Sequence, residues 1–525
     1  MARPIGVMKL AEEREAQASP RVPPTADPHV ALVLVTVVLL GLHGYAAAKV
    51  GFGDSEALYA SWAMHPQPAY LDHPGLVGTF ARAIGEGSAP TPLRAHVVTT
   101  ILAALVPWLA YATARAAGAE RRPSAIAALA IAVVPEIAVG LFAMTPDLLL
   151  APAWLGTLAL AATALRAPAG TTKAATSYLG AGLLAGIACS AKVSGVLLVV
   201  ALIATYLSAA RARSGGAGGS SVRTVWPIAG LLAGAIVVVP ILAYEAKTGW
   251  PMLRHRFVDT QTGSGIALTN LGALFLGQLA YVSPVLAWAA VLAARALLRD
   301  RGRDAVAKLF FFAFVIPFVP LVLLCVWSPV AEPHWIAPAL LVLPVAAARI
   351  PAVISRRVFV GGASLAGVLT LATHAYVLLP ASSALLPASA DPKVDIASEL
   401  YGWPIALDAV REQMRTAGTP FDPEGREVVV VGPHWTVCAQ LQAALPGIRV
   451  GCATPIPDDF DRWLPRDEWR RADNVLFVTD NRYPGDGAEQ LPSHVRSSQA
   501  RVRIMRGGRT SRIFELFLYS RRGAG

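Results

Sequence analysis

Acidic side chains in the first loop of the chain are the first candidates for chemistry. Asp54 and Glu56 follow the first apolar run, and Asp72 and His73 come just before Pro74 in the same loop. A carboxylate at a membrane surface can deprotonate an acceptor hydroxyl as a general base, or orient it. The alternative is that these are solvated loop charges. We predict Asp54 and Glu56 as candidate catalytic residues, and Asp72 with His73 as substrate-binding residues.

Two further charged residues border later apolar runs. Asp147 follows Thr145 and Pro146 and leads into a run of leucines, while Lys192 lies between two apolar runs. A charge at the mouth of a span is costly unless it faces a cavity or a partner. The alternatives are a helix cap at Asp147 and a lysine that snorkels to the membrane interface. We predict that both residues bind substrate.

A later loop is rich in basic residues. It holds Lys247, Arg254, His255 and Arg256. Basic residues are disfavoured in short loops on the outer side of a membrane, so several together indicate an anionic partner. Arginine recognises phosphate through paired hydrogen bonds, which indicates a lipid phosphate; lipid headgroups in general are the alternative. We predict that Arg254, His255 and Arg256 bind substrate, and that His334 in a further turn is interfacial rather than catalytic.

Apolar runs of membrane-spanning length must position these residues. Hydrophobic residues make up 55% of the 525-residue chain and charged residues 15%, against about 25% charged residues in soluble domains. The runs are near the ~20 residues that cross a bilayer. They predict an α-helical polytopic membrane protein with about eleven spans, at residues 29–48, 94–116, 124–142, 147–166, 175–191, 193–210, 224–245, 270–294, 307–327, 334–349 and 358–380.

The distribution of arginine and lysine predicts the orientation of the chain. With the N-terminus in the cytoplasm, the basic residues of alternate loops fall on the cytoplasmic side, as the positive-inside rule requires. Residues 1–28 are then a cytoplasmic tail, too long and too acidic for a signal peptide, and the Gly/Ser stretch 214–221 is a cytoplasmic loop. Loop 49–93 and the tail from residue 381 face outward. The net charge of +11 reflects this asymmetry. Nucleic-acid binding would need a basic face on a soluble domain, and the sequence shows none.

Residues 381–525 differ in kind from the apolar runs, because they are rich in charge. Short apolar runs and helix-like stretches predict a small α/β domain outside the membrane. The predicted strands are Val428–Val431, Val475–Val478 and Ile513–Leu518, and the predicted helices are Ile405–Ala417 and Thr436–Ala444. Two of the four cysteines, Cys438 and Cys452, lie in this domain, where an oxidising compartment would allow a disulfide.

Several motif classes are absent from the sequence. It has no Walker loop, no HExxH, no CxxC, and no GxGxxG between a strand and a helix. Nucleotide-driven pumping and a zinc site of the usual spacing therefore have no support. The carboxylates could bind a divalent metal, but they form no diagnostic ligand set, and we assign no cofactor.

Taken in order, a set of short motifs makes the first half of the chain resemble membrane glycosyltransferases of the GT-C fold. The group that it resembles comprises the bacterial relatives of protein O-mannosyltransferase and of the transferase that adds aminoarabinose to lipid A. The motifs are Asp54-Ser55-Glu56-Ala57-Leu58-Tyr59, Tyr70-Leu71-Asp72-His73-Pro74, Thr145-Pro146-Asp147, Ser190-Ala191-Lys192-Val193-Ser194-Gly195 and Trp250-Pro251. Residues 399–403 resemble the start of the extracytoplasmic domain of some members.

Two positions depart from the family pattern. The family usually has Asp directly followed by Glu, whereas Ser55 separates Asp54 from Glu56 here, so either acid could take the family's role. The usual Asp-His-Pro-Pro ends in Gly75, which leaves the acid and the histidine in place.

The resemblance implies a reaction and its partners. A sugar would move from a polyprenyl phosphate to an envelope acceptor, which could be a protein, a lipid or a glycan. Transfer would occur at the outer face of the bacterial inner membrane, with inversion at the anomeric carbon. Asp54 would deprotonate or orient the acceptor hydroxyl, and Lys192, Arg254 and Arg256 could hold the departing phosphate.

Two other functions remain open at this point. A transporter or flippase of a lipid-linked substrate would use polar residues near mid-membrane and often has an inverted repeat. The sequence has no such repeat, and its acids cluster at one membrane face, which favours an enzyme. The other function is an inert scaffold whose soluble domain binds envelope proteins.

Overall fold

The computed structural model of the chain describes residues 27–211, 221–350, 353–387, 390–416 and 428–522. Most of the predicted cytoplasmic tail and of the Gly/Ser loop therefore lies outside the described residues. The described residues between 28 and 378 are mainly helical. The helices are α1 (Pro28–Ala47), α2 (Asp54–Trp62), α3 (Leu76–Ile84), α4 (Pro92–Ala116), α5 (Arg121–Val133), α6 (Pro135–Ala138), α7 (Pro146–Arg166), α8 (Thr172–Ala191), α9 (Gly195–Arg211), α10 (Trp226–Thr248), α11 (Pro251–Phe257), α12 (Leu268–Val282), α13 (Pro284–Asp300), α14 (Ala305–Trp327), α15 (Ala337–Leu340), α16 (Val342–Ala347) and α17 (Arg356–Leu378).

This helical part has the architecture of a polytopic membrane protein. By length and composition, seven of the described helices could cross a membrane, or nine if each of two bent pairs is one span. Two further predicted spans coincide with the shorter apolar helices Gly195–Arg211 and Pro333–Ala347. Each predicted span thus corresponds to apolar helix, although not always to one straight helix.

Two of the predicted spans are wrong in shape. The run 124–142 bends by 66° after α5, and the run 270–294 bends by 102° between α12 and α13. The helices that follow the bends begin with Pro135 and Pro284. Proline lacks a backbone N–H and disfavours helical backbone in the residue before it. Accordingly, Val134 is extended with ψ 136°, and Ser283 has φ 77° and ψ 148°.

Small residues let helices α8 and α10 pack closely. Gly182 and Gly186 of α8 face Gly230 and Gly234 of α10, and a Cβ atom at any of the four would collide with backbone atoms of the other helix. Both pairs have the GxxxG spacing that is typical of close helix contacts in membranes. Elsewhere on α10, Ile236 is 71% exposed, as expected of a side chain that faces lipid.

The C-terminal region forms the predicted small α/β unit. Its elements are α18 (Trp403–Thr416), β1 (Val428–Gly432), α19 (Trp435–Ala444), β2 (Val450–Cys452), α20 (Asp459–Trp463), α21 (Arg466–Trp469), β3 (Asn474–Asp480), β4 (His494–Arg506) and β5 (Arg509–Arg521). The sheet has the strand order β2-β1-β3-β5-β4. Strands β1, β2 and β3 are parallel, and β5 runs antiparallel to β3 and β4. The predicted strands lie in β1, β3 and β5, and the predicted helices coincide with α18 and α19.

The first loop and the C-terminal region share one buried core. Trp62 of α2 belongs to the same buried cluster as Val437 of α19. Gln440 of α19 donates a hydrogen bond from Nε2 to the Phe52 carbonyl oxygen at 2.8 Å. The C-terminal region therefore lies against α2, the helix that carries both predicted catalytic acids.

Candidate functional site

Asp54 is held by the C-terminal region. The Arg482 guanidinium donates hydrogen bonds to the two carboxylate oxygens of Asp54, at 2.7 and 3.3 Å. The backbone N–H of Asp54 donates to the Glu399 carboxylate at 3.0 Å. Both oxygens of Asp54 are thus engaged by an arginine of a different part of the chain.

Further charges surround this pair. Asp480 accepts hydrogen bonds from Arg482 at 3.1 Å and from Arg512 at 2.8 Å. Burial alone would lower the pKa of Arg482, but Asp54 and Asp480 raise it above its usual value. Burial, and then the charge of Asp54, raise the pKa of Glu399 to about 7. The result is a buried network of ion pairs between the first loop and the C-terminal region.

Glu56 is held on the opposite side of α2. Its carboxylate lies 3.1 Å from His96 Nε2 in α4. It also accepts hydrogen bonds from the backbone N–H of Met144 at 2.7 Å and from that of Gly53 at 3.0 Å. These contacts join the first loop, α4 and the short loop before α7, so the geometry of Glu56 is that of a structural anchor.

Asp72 and His73 lie at the tip of a tight hairpin. Residues Ala69 and Pro74 form an antiparallel bridge, and the N–H of Gly75 donates to the Pro68 carbonyl at 2.8 Å. A Cβ atom at residue 75 would approach the Pro68 oxygen to 2.9 Å. A proline at this position could not donate this bond, because it has no backbone N–H.

Lys192 and Asp147 form a close ion pair. The Lys192 ammonium donates to both carboxylate oxygens of Asp147, at 2.8 and 2.9 Å. His334 Nε2 lies 3.8 Å from the same carboxylate, and its Nδ1 lies 3.1 Å from Glu332. The structure thus pairs Lys192 with a carboxylate, and it brings His334, predicted to be interfacial, into contact with a predicted site residue.

Arg256 contacts both residues at the tip of the hairpin. It donates to the Asp72 carbonyl oxygen at 3.0 Å and to His73 Nε2 at 3.4 Å, and its guanidinium lies 3.8 Å from the Asp72 carboxylate. Burial, and then the charges of Arg256, Lys192 and His334, lower the pKa of His73 well below its usual value. We call Lys192, Arg256 and His334 the cation cluster, since all three act on His73.

The other two basic residues of this loop lie differently. Arg254 is 72% exposed and pairs with Asp259 at 3.4 Å, so it does not join the cation cluster. His255 is partly buried, and this burial lowers its pKa, while the negative charge of Asp72 acts to raise it. Of the three predicted substrate-binding residues in this loop, Arg256 is the one that contacts Asp72 and His73.

Sequence reasoning missed the partners of the first-loop acids. Arg482 and His96 lie 428 and 40 residues from their partners Asp54 and Glu56, and neither belongs to a motif. A buried carboxylate needs a charged or hydrogen-bonding partner, so partners for Asp54 and Glu56 could have been expected. That rule does not say which residues the partners are. In the described part of the chain, no three His, Cys, Asp or Glu side chains converge as metal ligands, and we assign no reaction step to a metal ion.

An apolar groove lies among helices α5, α12, α13 and α16. Its volume is about 1000 Å³, and one end is lined by Arg303, Arg349 and Arg356. The other end is lined by Glu136 and Gln278. Gln278 donates to the Pro333 carbonyl at 2.8 Å, directly beside His334 of the cluster.

The two cysteines of the C-terminal region are neighbours. The sulfur atoms of Cys438 and Cys452 lie 2.7 Å apart, and both side chains are buried. Burial raises the pKa of both. The two cysteines for which a disulfide is possible by sequence are therefore adjacent in the structure.

Comparison with known proteins identifies the fold. A family model described as dolichyl-phosphate-mannose-protein mannosyltransferase matches residues 84–244. No curated protein matches the chain in sequence.

Solved structures match over almost the whole chain. ArnT from Cupriavidus metallidurans bound to undecaprenyl phosphate has a TM-score of 0.58 and 15% identity, with 92% of this chain and 97% of that chain covered. Its apo state has a TM-score of 0.56 and 14% identity, with 93% and 98% covered. Arabinofuranosyltransferase AftD from Mycobacteria has a TM-score of 0.51 and 16% identity, with 94% of this chain and 40% of that chain covered. These matches confirm the GT-C fold and the predicted resemblance.

Proposed function

We propose that this chain is a membrane glycosyltransferase that moves a hexosyl or pentosyl unit from a polyprenyl-phosphate donor to an envelope acceptor. Transfer takes place at the outer face of the bacterial inner membrane. The GT-C fold and the matching mannosyltransferase model support this class. The observation that carries the proposal is the cation cluster of Lys192, Arg256 and His334 beside the first loop.

The cation cluster suits the phosphate of the donor. When the sugar leaves, the phosphate gains negative charge, and fixed positive groups nearby stabilise that charge in the transition state. Arg256 can donate two parallel hydrogen bonds to phosphate oxygens, while Lys192 acts as a point charge. Arg256 is held in place by the Asp72 carbonyl and by Trp335, whose ring lies 5.2 Å from its guanidinium.

The apolar groove suits the hydrocarbon chain of the donor. Its lining includes Arg303 and Gln278, and Gln278 donates to the carbonyl of Pro333, the neighbour of His334 in the chain. A polyprenyl chain in it would leave its phosphate next to His334. Undecaprenyl phosphate, the ligand of the similar ArnT structure, is a lipid of this kind.

The alternative of a transporter gains no support from the comparisons. The matched family model is that of a mannosyltransferase, and AftD is an arabinofuranosyltransferase. The scaffold alternative does not account for Lys192 and His334 beside the Asp147 carboxylate, with Arg256 beside His73.

Binding of undecaprenyl phosphate to the purified full-length protein in nanodiscs tests the proposal. Losing a charge-assisted phosphate contact should cost roughly 1.5–3 kcal/mol, which is about a 10- to 100-fold rise in Kd. We expect a rise of this size for Arg256→Gln.

Arg254→Gln is the matched control, because Arg254 lies in the same loop but pairs with Asp259 away from the cluster. It should bind undecaprenyl phosphate as the wild type does. Equal Kd values for Arg256→Gln and the wild type would contradict the assignment of the phosphate site. No binding to the wild type would contradict the proposed function.

A further inference from the structure

We infer that Asp72, rather than Asp54 or Glu56, is the catalytic carboxylate that takes the proton from the acceptor hydroxyl. The inference rests on the proposed function, since it assigns the base within that reaction. It follows from which carboxylates near the first loop are accessible and which are already engaged.

The two acids of α2 are engaged and buried. The Asp54 side chain is 10% exposed, and both oxygens accept from Arg482. The Glu56 side chain is 5% exposed and is bound by His96 and two backbone N–H groups. A base must come within hydrogen-bond distance of the proton that it removes, and an acceptor cannot reach either carboxylate without displacing these partners.

The two carboxylates that pair with members of the cluster, Asp147 and Glu332, are also engaged. Asp147 is held through both oxygens by Lys192. Glu332 is bound by His334 at 3.1 Å, and this contact lowers its pKa, which makes Glu332 a weaker proton acceptor.

Asp72 is more exposed than the two acids of α2, with 37% of its side chain exposed. Glu332 is more exposed still, at 65%, but it is bound by His334. The partner of Asp72, Arg256, lies at 3.8 Å, too far for a strong hydrogen bond. A donor phosphate that binds Arg256 would loosen this contact further. The acceptor can therefore approach Asp72 from solvent while the donor phosphate occupies the cation cluster beside it.

The hairpin holds Asp72 firmly. The backbone N–H of Leu71 donates to the Asp459 carboxylate of α20 at 3.2 Å. The ring of the preceding residue, Tyr70, stacks on Trp62 with centroids 3.9 Å apart. A base fixed in this way needs no rearrangement when the acceptor arrives.

In the transfer step one bond to the anomeric carbon forms while another breaks. The acceptor oxygen forms a bond to the anomeric carbon, and its proton moves to a carboxylate oxygen of Asp72. The bond between the anomeric carbon and the phosphate oxygen breaks, and its electron pair stays with the polyprenyl phosphate. Lys192 and Arg256 offset the added charge, and Asp72 releases the proton to solvent.

The test compares Asp72→Asn, Asp72→Glu, Asp54→Asn and Glu332→Gln in cells that lack the wild-type gene. Product is measured by mass spectrometry of envelope lipid, protein and glycan extracts, relative to folded protein in the membrane. Undecaprenyl phosphate binding to the purified variants is measured in parallel. Asp259→Asn is the control, because it removes an arginine-paired carboxylate outside the cluster.

We expect Asp72→Asn to lower turnover by about 10²- to 10⁴-fold while still binding undecaprenyl phosphate, and Asp72→Glu to recover part of the turnover. A turnover of Asp72→Asn within threefold of the wild type would overturn the inference. The inference would also fail if Asp72→Asn stayed active while folded Asp54→Asn or Glu332→Gln lost turnover by about 10²- to 10⁴-fold. A wild type that neither forms product nor binds undecaprenyl phosphate would instead refute the proposed function.

Discussion

Arg482 of the C-terminal region donates two hydrogen bonds to the carboxylate of Asp54, a residue 428 positions earlier in the chain. The two side chains are only 6% and 10% exposed. A buried ion pair of this kind is strongly destabilised when one partner is removed, because the other charge stays buried without compensation. The pair therefore links the stability of the C-terminal region to that of the first loop.

A double-mutant cycle at this pair should show strong coupling. Asp54→Asn and Arg482→Gln should each lower the free energy of unfolding by about 3–5 kcal/mol. The double variant should lose much less than the sum, because neither charge is then left unpaired. Unfolding of the purified full-length protein in detergent measures all four free energies.

The exposed pair Asp467 and Arg471, 3.0 Å apart with both side chains about 70% exposed, provides the control for this cycle. Removing either partner should change stability little, since exposed ion pairs contribute little. Strictly additive losses at Asp54 and Arg482 would show that the two side chains are not coupled.

The elements of the fold were largely predictable, because membrane-spanning length and apolar character are local properties of the sequence. The bends at Pro135 and Pro284 were missed, because the mean hydropathy of a run does not depend on whether each residue has a backbone N–H for the helix. The close contact of α8 with α10 had a signal in the GxxxG spacing, which the prediction did not use.

The candidate site was predictable only in part. The motifs pointed to Asp72, His73 and Lys192, and the basic loop pointed to Arg256. The structure places Arg256 against Asp72 and His73 and pairs Lys192 with Asp147. The surroundings of Asp54 could not be predicted, because Arg482 lies in a different region and in no motif. Residues two apart on a helix point in nearly opposite directions, and Asp54 and Glu56 indeed contact different partners.

Stability should fall as the pH rises from about 4 to about 7. Burial raises the pKa of Glu399 and of Asp459 to about 7, whereas in the unfolded chain both lie near 4. The folded chain thus binds more protons in this window, so the stabilisation is complete below about pH 4 and is lost as the pH rises through about 7. The thermal unfolding midpoint against pH measures the effect.

Glu399→Gln and Asp459→Asn should each flatten this dependence, because an amide does not titrate. Asp467→Asn, which removes an exposed carboxylate, should leave the slope as in the wild type. A slope that is unchanged in both buried variants would show that these two acids do not titrate in the folded chain as described.

Reporter fusions should place the two ends of the topology on opposite sides of the membrane. Because arginine and lysine concentrate in alternate loops, we expect a reporter after Gly525 on the outer side and one within residues 214–221 in the cytoplasm. Alkaline phosphatase and a fluorescent protein are each fused at both positions. The phosphatase is active on the outer side only, and the fluorescent protein is active in the cytoplasm only. Both positions reporting the same side would contradict the topology and the proposed outer-face reaction.

Cys438 and Cys452 should form a disulfide in the cell if the C-terminal region lies on the outer side. Their sulfur atoms are already in contact at 2.7 Å, and an oxidising compartment supplies the disulfide exchange partner that accepts the two electrons. Closing this short loop should stabilise the region by about 3 kcal/mol on the chain-entropy model.

Alkylation of the protein, unfolded in acid to prevent exchange, followed by mass spectrometry should find both thiols blocked until a reductant is added. Cys189 and Cys325, which lie in α8 and α14, serve as internal controls and should react without reduction. The Cys438→Ser variant should free Cys452 for alkylation and lower the unfolding midpoint, whereas Cys189→Ser should free no new thiol. Full alkylation of Cys438 and Cys452 without reductant would contradict the prediction, and with an outer-side reporter it would show that the pair stays reduced despite its location.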